Sequence, residues 1–212
     1  MTVDLAEARA AIKADWAQSP YYDMVEAPDD PAYWGEHSIY KRLFDQLDLT
    51  NVIELACGHG RHAARIVDRV GHITLADINA SNIEFCRQRF AGKSNVRFLT
   101  CSGSDLAELE SASYTALFCY DAMVHFEIHD IISYLDDFRR IFRPQGRAVL
   151  HFSNYTEHPG RMYRDNPHWR NFCGEVLFRH LAMRAGFSIL ESQLINWGGV
   201  DRLDGLVLIE RA

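Results

Sequence analysis

Two stretches hold the residues whose types and spacing suit chemistry. The first is Val52-Ile53-Glu54-Leu55-Ala56-Cys57-Gly58-His59-Gly60, an apolar run ending in two glycines one residue apart. Glycine has no Cβ, so a ligand can approach the backbone closely there. The run Ala63-Ala64-Arg65-Ile66-Val67 that follows reads as a helix whose first N–H groups are free for that ligand. The second stretch is Tyr120-Asp121-Ala122-Met123-Val124-His125. Imidazole titrates near neutrality, so His125 is the natural general base for a hydroxyl or a protonated amine. His151, in an apolar run, is a second candidate; the alternative for either histidine is a satisfied structural role, and His151 reads as simply buried. Asp121 either orients a ligand or caps the turn that follows. His125 and His129 are four apart, yet no carboxylate–carboxylate–Asn set accompanies them. The expectation is no metal.

Such residues need a frame, and the hydrophobic pattern supplies one. Leu5, Ala8, Ile12 and Trp16 share a helical face over 2–16. Residues 21–35 are aromatic and carry Pro28 and Pro31, which rules out a long regular element. Helical spacing returns over 36–47. From Asn51 onward strands and helices alternate. Strands are expected over 51–56, 72–77, 95–101, 114–120 and 147–153, with helices over 62–70, 81–90 and 130–142 between them. A helix over 174–185 and two strands over 187–197 and 205–210, joined as an antiparallel hairpin, close the chain. This alternation predicts an α/β fold: one doubly wound, mostly parallel seven-stranded sheet covered by helices on both faces. The organisation expected is an N-terminal helix and aromatic lid over 1–35 and one domain over 36–212. An irregular stretch over 154–173 interrupts that domain on its substrate side. Irregular stretches of that length in compact domains are usually functional.

Composition narrows the partners. The chain has 212 residues, 48% of them hydrophobic, and a formal charge of −7. Nucleic-acid surfaces need clustered Lys and Arg, and the basic group Arg139, Arg140, Arg143 and Arg147 sits where a helix C-terminus favours cations. No nucleic acid is therefore expected. No apolar run reaches the ~20 residues that span a bilayer, and residues 1–17, charged and without a continuous apolar core, are not expected to be a signal peptide. Five scattered cysteines read as free thiols. A cytoplasmic protein is expected, with oligomeric state open and a homodimer possible.

The ordered motifs resemble those of the class I, Rossmann-like S-adenosylmethionine-dependent methyltransferases. Glu54 to Gly60 resembles their acidic-then-Gly-x-Gly-x-Gly motif, with Ala56 in place of the first glycine. The resemblance implies S-adenosylmethionine as cofactor, held by Glu54, Ala56, Gly58 and Gly60. Asp77, at the end of the second strand, would grip the ribose, with Ile78 beside it. Ser104, Asp105 and Leu106 would meet the adenine, and Tyr120 would lie near the transferring methyl. Arg143-Pro144-Gln145-Gly146 resembles the family's Leu-x-Pro-Gly-Gly turn, and Ala185-Gly186-Phe187 its step into the last hairpin.

The implied activity is methyl transfer to an oxygen or nitrogen of a small-molecule acceptor. Catalysis then needs mainly alignment and exclusion of water. His125 and Asp121 are the expected catalytic groups, and Tyr22, Trp34, His151, Asn154, Tyr155 and Trp169 the expected substrate contacts. The alternative for the aromatic residues is that they merely cover the sheet's ends. Two rival functions use the same glycines: an NAD(P)-dependent oxidoreductase, since Gly58-x-Gly60-x-x-Ala63 also fits a dinucleotide fingerprint, and a non-catalytic S-adenosylmethionine-binding regulatory protein. Against the first stand Glu54 inside the strand and the final hairpin.

Overall fold

The computed structural model describes residues 4–17, 19–26 and 31–212, with the side chains of 31 and 32 left aside. Seven strands form one sheet in the order β3-β2-β1-β4-β5-β7-β6. They are β1 (Asn51–Leu55), β2 (His72–Asp77), β3 (Val96–Thr100), β4 (Tyr114–Cys119), β5 (Phe142–Ser153), β6 (Phe187–Trp197) and β7 (Val200–Arg211). β1 to β5 pair in parallel. β7 runs antiparallel to both β5 and β6. This is the expected α/β sheet with a terminal hairpin.

Alternation along the strands sends side chains into two cores. Ile53, Leu55, Leu117, Cys119 and Leu150 face a layer holding Tyr134, Phe138 and Phe178. Val52, Ala116, Phe118 and Val149 face Tyr40, Leu43, Phe44, Ile66 and Ile83. The first layer rests on α7 (Ile128–Ile141) and α8 (Glu175–Arg184), the second on α4 (Ile39–Phe44), α5 (Ala63–Ile66) and α6 (Ala80–Arg89). Every residue of β4 is buried, which accounts for its unbroken apolar sequence.

Several elements are shorter than periodicity suggests. The helix expected over 62–70 keeps only Ala63–Ile66, and that over 36–47 only Ile39–Phe44, entered through Ser38, whose hydroxyl accepts from Lys41 N. The loop expected over 198–204 is mostly strand: only Gly198 and Gly199 turn the chain, both at positive φ (54° and 83°). That is the backbone a tight hairpin demands. Proline and glycine at 144–146 do not end a strand but interrupt one. β5 pairs with β4 at Phe142, shifts register, and resumes at Arg147.

Ahead of the sheet, α1 (Leu5–Trp16) begins at Asp4, whose side chain accepts from Ala6 N, and buries Ala8 and Ile12. The start expected at Thr2 and Pro28 lie outside the described residues. The Arg9 guanidinium donates to Asp130 of α7 at 2.5 and 3.2 Å. This pair holds α1 beside the carboxyl ends of the strands. There α2 (Tyr21–Met24) and α3 (Pro31–Trp34) complete the cover.

Candidate active site

The turn after β1 is built for close backbone approach. Ala56, Gly58 and Gly60 all hold positive φ, at 54°, 52° and 72°. Ala56 thus occupies a left-handed position that glycine fills more comfortably. Asp77 closes the turn from β2: its Oδ2 accepts from Gly58 N at 2.9 Å and its Oδ1 from Asn79 N at 2.8 Å and Asn82 Nδ2 at 3.1 Å. Burial raises its pKa, and these donors oppose the rise. A carboxylate has about four acceptor directions, so Asp77 keeps room for one more donor. Glu54 lies beneath the turn with Oε2 accepting from Ala63 N at 3.0 Å. Burial pushes its carboxyl up to about 8.

Two small cavities border this turn. One, of about 80 Å³, is lined by Ala56, Asp77, Ile78, Asn79, Ala122 and Phe126 among others. The other, of about 50 Å³, is lined by Glu54, Gly58, Arg61 and Tyr120. Tyr21 and Tyr22 border both. Tyr21 donates its hydroxyl to Asp121. Arg61 Nη2 stands 3.5 Å from the same carboxylate.

A larger cavity of about 400 Å³ opens on the far side of Tyr21. Trp16, Tyr21, Trp169 and Trp197 supply its aromatic walls, with Asp121, His125 and Arg170 at its base. His125 borders both this cavity and the 80 Å³ one. Its Nδ1 lies 2.6 Å from Trp169 O, so Nδ1 carries the proton and donates. Nε2 has no hydrogen bond among the described residues and is left as a bare acceptor. Burial, reinforced by Arg170, lowers the His125 pKa to about 3, so the ring is neutral at pH 7. Trp169 and the preceding His168 both sit at positive φ, 58° and 49°. Strain of this kind persists only where the surroundings enforce it. The enforcing group is Arg170, which donates Nη1 to His168 O at 2.9 Å and grips Asp204 with Nε and Nη2 at 2.9 and 2.5 Å.

Asp204 Oδ2 also accepts from His151 Nε2 at 3.0 Å, while His151 Nδ1 accepts from Asp121 N at 3.1 Å. Burial would raise the Asp204 pKa, but the bonds from Arg170 and His151 hold it below the usual range. One buried chain of bonds therefore ties β4, β5, β7 and the 154–173 stretch together under the pocket.

The expected site residues divide accordingly. Ala56, Gly58, Asp77, Ile78, Tyr120, Asp121 and His125 converge on the two small cavities, with Glu54 behind them, and Trp169 walls the large one. Gly60 instead packs over Phe90 and Cys86. Tyr22 lies in the groove over the glycine turn and does not line the 400 Å³ cavity. Other expected residues have partners elsewhere in the structure. The Leu106 N–H, expected at adenine, donates to Asp137 Oδ2 at 2.6 Å, and its side chain belongs to the core. Asp105 accepts from Ser102 Oγ and Ala107 N within its own loop, and half-buried Ser104 lies against Ser102. Trp34 donates to His62 Nδ1 at 3.0 Å and packs on Tyr40 and Phe44. Tyr155 bonds His158, Asn154 caps Glu175 N and bonds Arg202 O, and His151 is wholly buried. These three support the pocket without lining it. Trp16, Arg61, Arg170, Trp197 and Asp204 escaped the sequence reading. Asp204 left a signal: it is the one charge in the run Leu203-Asp204-Gly205-Leu206-Val207-Leu208-Ile209.

A mostly parallel sheet with this strand order, closed by an antiparallel hairpin and carrying a glycine turn after β1, is a Rossmann-like fold. Residues 52–146, under half of the chain, match the family model described as "Methyltransferase domain". The chain is 28% identical over 126 residues to methyltransferase nsrG of Aspergillus novofumigatus (55% of this chain, 48% of the relative). It is 29% identical over 139 residues to a probable phthiotriol/phenolphthiotriol dimycocerosates methyltransferase of Mycobacterium ulcerans (62% and 52%). The chain thus spans about half the length of these curated relatives. Among solved structures, geranyl diphosphate C-methyltransferase from Streptomyces coelicolor, solved with S-adenosyl-L-homocysteine, superposes with a TM-score of 0.72 at 14% identity, over 97% of this chain and 98% of that one. Among the described residues no helix is long and apolar enough to cross a membrane.

Proposed function

We propose that this chain binds S-adenosylmethionine over the glycine turn and transfers its methyl group to an oxygen or nitrogen of a small, largely apolar acceptor. The acceptor sits in the 400 Å³ pocket. The observation that carries this reading is the position of His125: a neutral imidazole with a bare Nε2 on a ring that borders the groove and the pocket alike.

The donor set suits the cofactor chemically. Positive-φ backbone at Ala56 and Gly58 leaves the turn open to a ligand, and Asp77 has an acceptor direction left for a sugar hydroxyl. Arg61, beside the 50 Å³ cavity, is the cation for an amino-acid carboxylate. When bound, the sulfonium supplies an already activated methyl. The chain's own task is then alignment and drying. Trp16, Tyr21, Trp169 and Trp197 exclude water and offer ring faces that tolerate positive charge.

Nε2 of His125 accepts a hydrogen bond from the acceptor's O–H or N–H and fixes the direction of its lone pair. So weak a base does not ionise the acceptor beforehand. It takes the proton as the methyl–acceptor bond forms and the acceptor atom becomes strongly acidic. A carbon acceptor would offer no such donor. One structural neighbour is named as a C-methyltransferase acting on geranyl diphosphate, so the preference for oxygen or nitrogen rests on His125. The names of that neighbour and of the phthiotriol relative support a small-molecule substrate. Residues 1–35 serve as the cover, 36–212 as the body, and 154–173 as the pocket wall.

Isothermal titration with S-adenosylmethionine and S-adenosylhomocysteine tests the first half, with binding expected for both. A mass-spectrometric screen of hydroxylated and amino compounds for a gain of one methyl tests the second. Folded protein that binds NADH but neither adenosyl compound would replace this reading with the oxidoreductase one.

A further inference from the structure

Resting on that cofactor reading, we infer that Tyr22 is an internal stand-in for the cofactor's nucleoside. The cofactor enters only as the segment carrying Tyr21 and Tyr22 lifts out of the groove. The Tyr22 ring lies directly on the glycine turn: a Cβ built on Gly58 would stand 2.5 Å from its Cε1 and 3.0 Å from its Cδ1. One face stacks on His59, with centroids 4.5 Å apart. Its hydroxyl accepts from Asn82 Nδ2 at 3.0 Å, and the same amide donates to Asp77 at 3.1 Å. A flat ring on the turn, with a hydroxyl in the Asn82–Asp77 network, reproduces the contacts a sugar-bearing nucleoside would make there. Tyr21 meanwhile reaches Asp121 and borders all three cavities. With both rings in place the groove is divided into spaces of about 80 and 50 Å³, far below the ~300 Å³ at which ligand pockets begin.

The segment is also lightly held. α2 has four residues and none of them is buried. Beyond the two hydroxyls and the packing of both rings on Trp16, its tethers are peripheral: Arg61 to Val25 O at 3.4 Å and to the Tyr21 hydroxyl at 3.5 Å, Tyr21 N to Ser19 Oγ at 3.3 Å, and the pair of Arg89 with exposed Glu26. The closed arrangement leaves Trp16 Nε1 buried with no partner among the described residues, a cost that opening relieves. Since only the open form binds, the apparent dissociation constant is the intrinsic one divided by the open fraction.

The test is calorimetric titration of S-adenosylhomocysteine into wild type, Tyr22→Phe and Tyr22→Ala. Removing the ring raises the open fraction, so Tyr22→Ala is expected to bind about five- to tenfold tighter, with Tyr22→Phe between it and wild type. Equal or weaker binding by Tyr22→Ala overturns the inference and leaves the cofactor reading standing. No binding by any of the three removes both. A second measurement needs no variant: nitration of Tyr22 in wild type, read by mass spectrometry, should rise several-fold when S-adenosylhomocysteine is added. A fall would mean that the ring closes over the ligand instead, and the inference fails.

Discussion

The groove over β1 and β2 and the pocket over β4, β5 and β7 are built on opposite plans. The groove comes from neighbours in sequence: residues 54–60, then 77–82. Of its two buried carboxyls, Asp77 is held by three donors, while Glu54 keeps its proton well above the usual carboxylate range because burial outweighs its single backbone donor. The pocket comes from residues far apart in the chain, 16, 21, 121, 125, 169, 170 and 197. It is held by a fully bonded ionic chain whose central carboxylate, Asp204, keeps its charge. One side achieves order by neutralising a group, the other by pairing it.

The largest test of that contrast is Asp204→Ala. It strands Arg170, 2% exposed, and breaking a buried pair typically costs about 3–5 kcal/mol. Urea unfolding should show that loss; less than about 1 kcal/mol would mean the pair does not organise the pocket.

Next come two opposite pH dependences. Folding raises Glu54 from 4.5 to about 8, so its contribution is full below 4.5 and is lost as pH climbs towards 8. Folding lowers His125 from 6.5 to about 3, so its contribution is full above 6.5 and is lost as pH falls towards 3. Each slope is at most about 1.4 kcal/mol per pH unit. Glu54→Gln should flatten the stability curve between pH 6.5 and 8, and His125→Gln between 3 and 4.5; unchanged curves would refute the assignments.

A smaller effect separates the two sites functionally. Trp169→Ala should raise the acceptor KM by about tenfold, since an aromatic contact is worth about 0.5–1.5 kcal/mol. Calorimetry should find affinity for S-adenosylhomocysteine unchanged. The smallest effect concerns backbone. Ala56→Gly and Gln145→Gly relieve left-handed φ of 54° and 65° and should each add about 0.5–1 kcal/mol by thermal melting, the steric relief less the added chain entropy.

The same contrast explains what could be read beforehand. The sheet was legible because buried parallel strands are written as unbroken apolar runs, and β2 and β6 match their expected bounds. The groove was legible because glycine and carboxylate spacing reflects local backbone geometry. Even Ala56 and Gln145, which break the glycine pattern, hold the conformations glycine would. The pocket was not, because nothing in the spacing of Trp16, Arg170 and Trp197 records that they meet. Leu106 and Trp34 misled for a related reason. Their residue types suit a site, but Asp137 and His62, which claim their N–H groups, lie 31 and 28 positions away.

Trp169 contributes to the pocket twice, through unlike parts of the same residue. Its carbonyl sets the tautomer of His125, while its indole, 41% exposed, forms a wall. Substitution alters the second and spares the first. On the proposed function, selection or engineering can therefore retune which molecules the cavity admits at position 169 without disturbing His125, provided Arg170 keeps the main chain in its bent path.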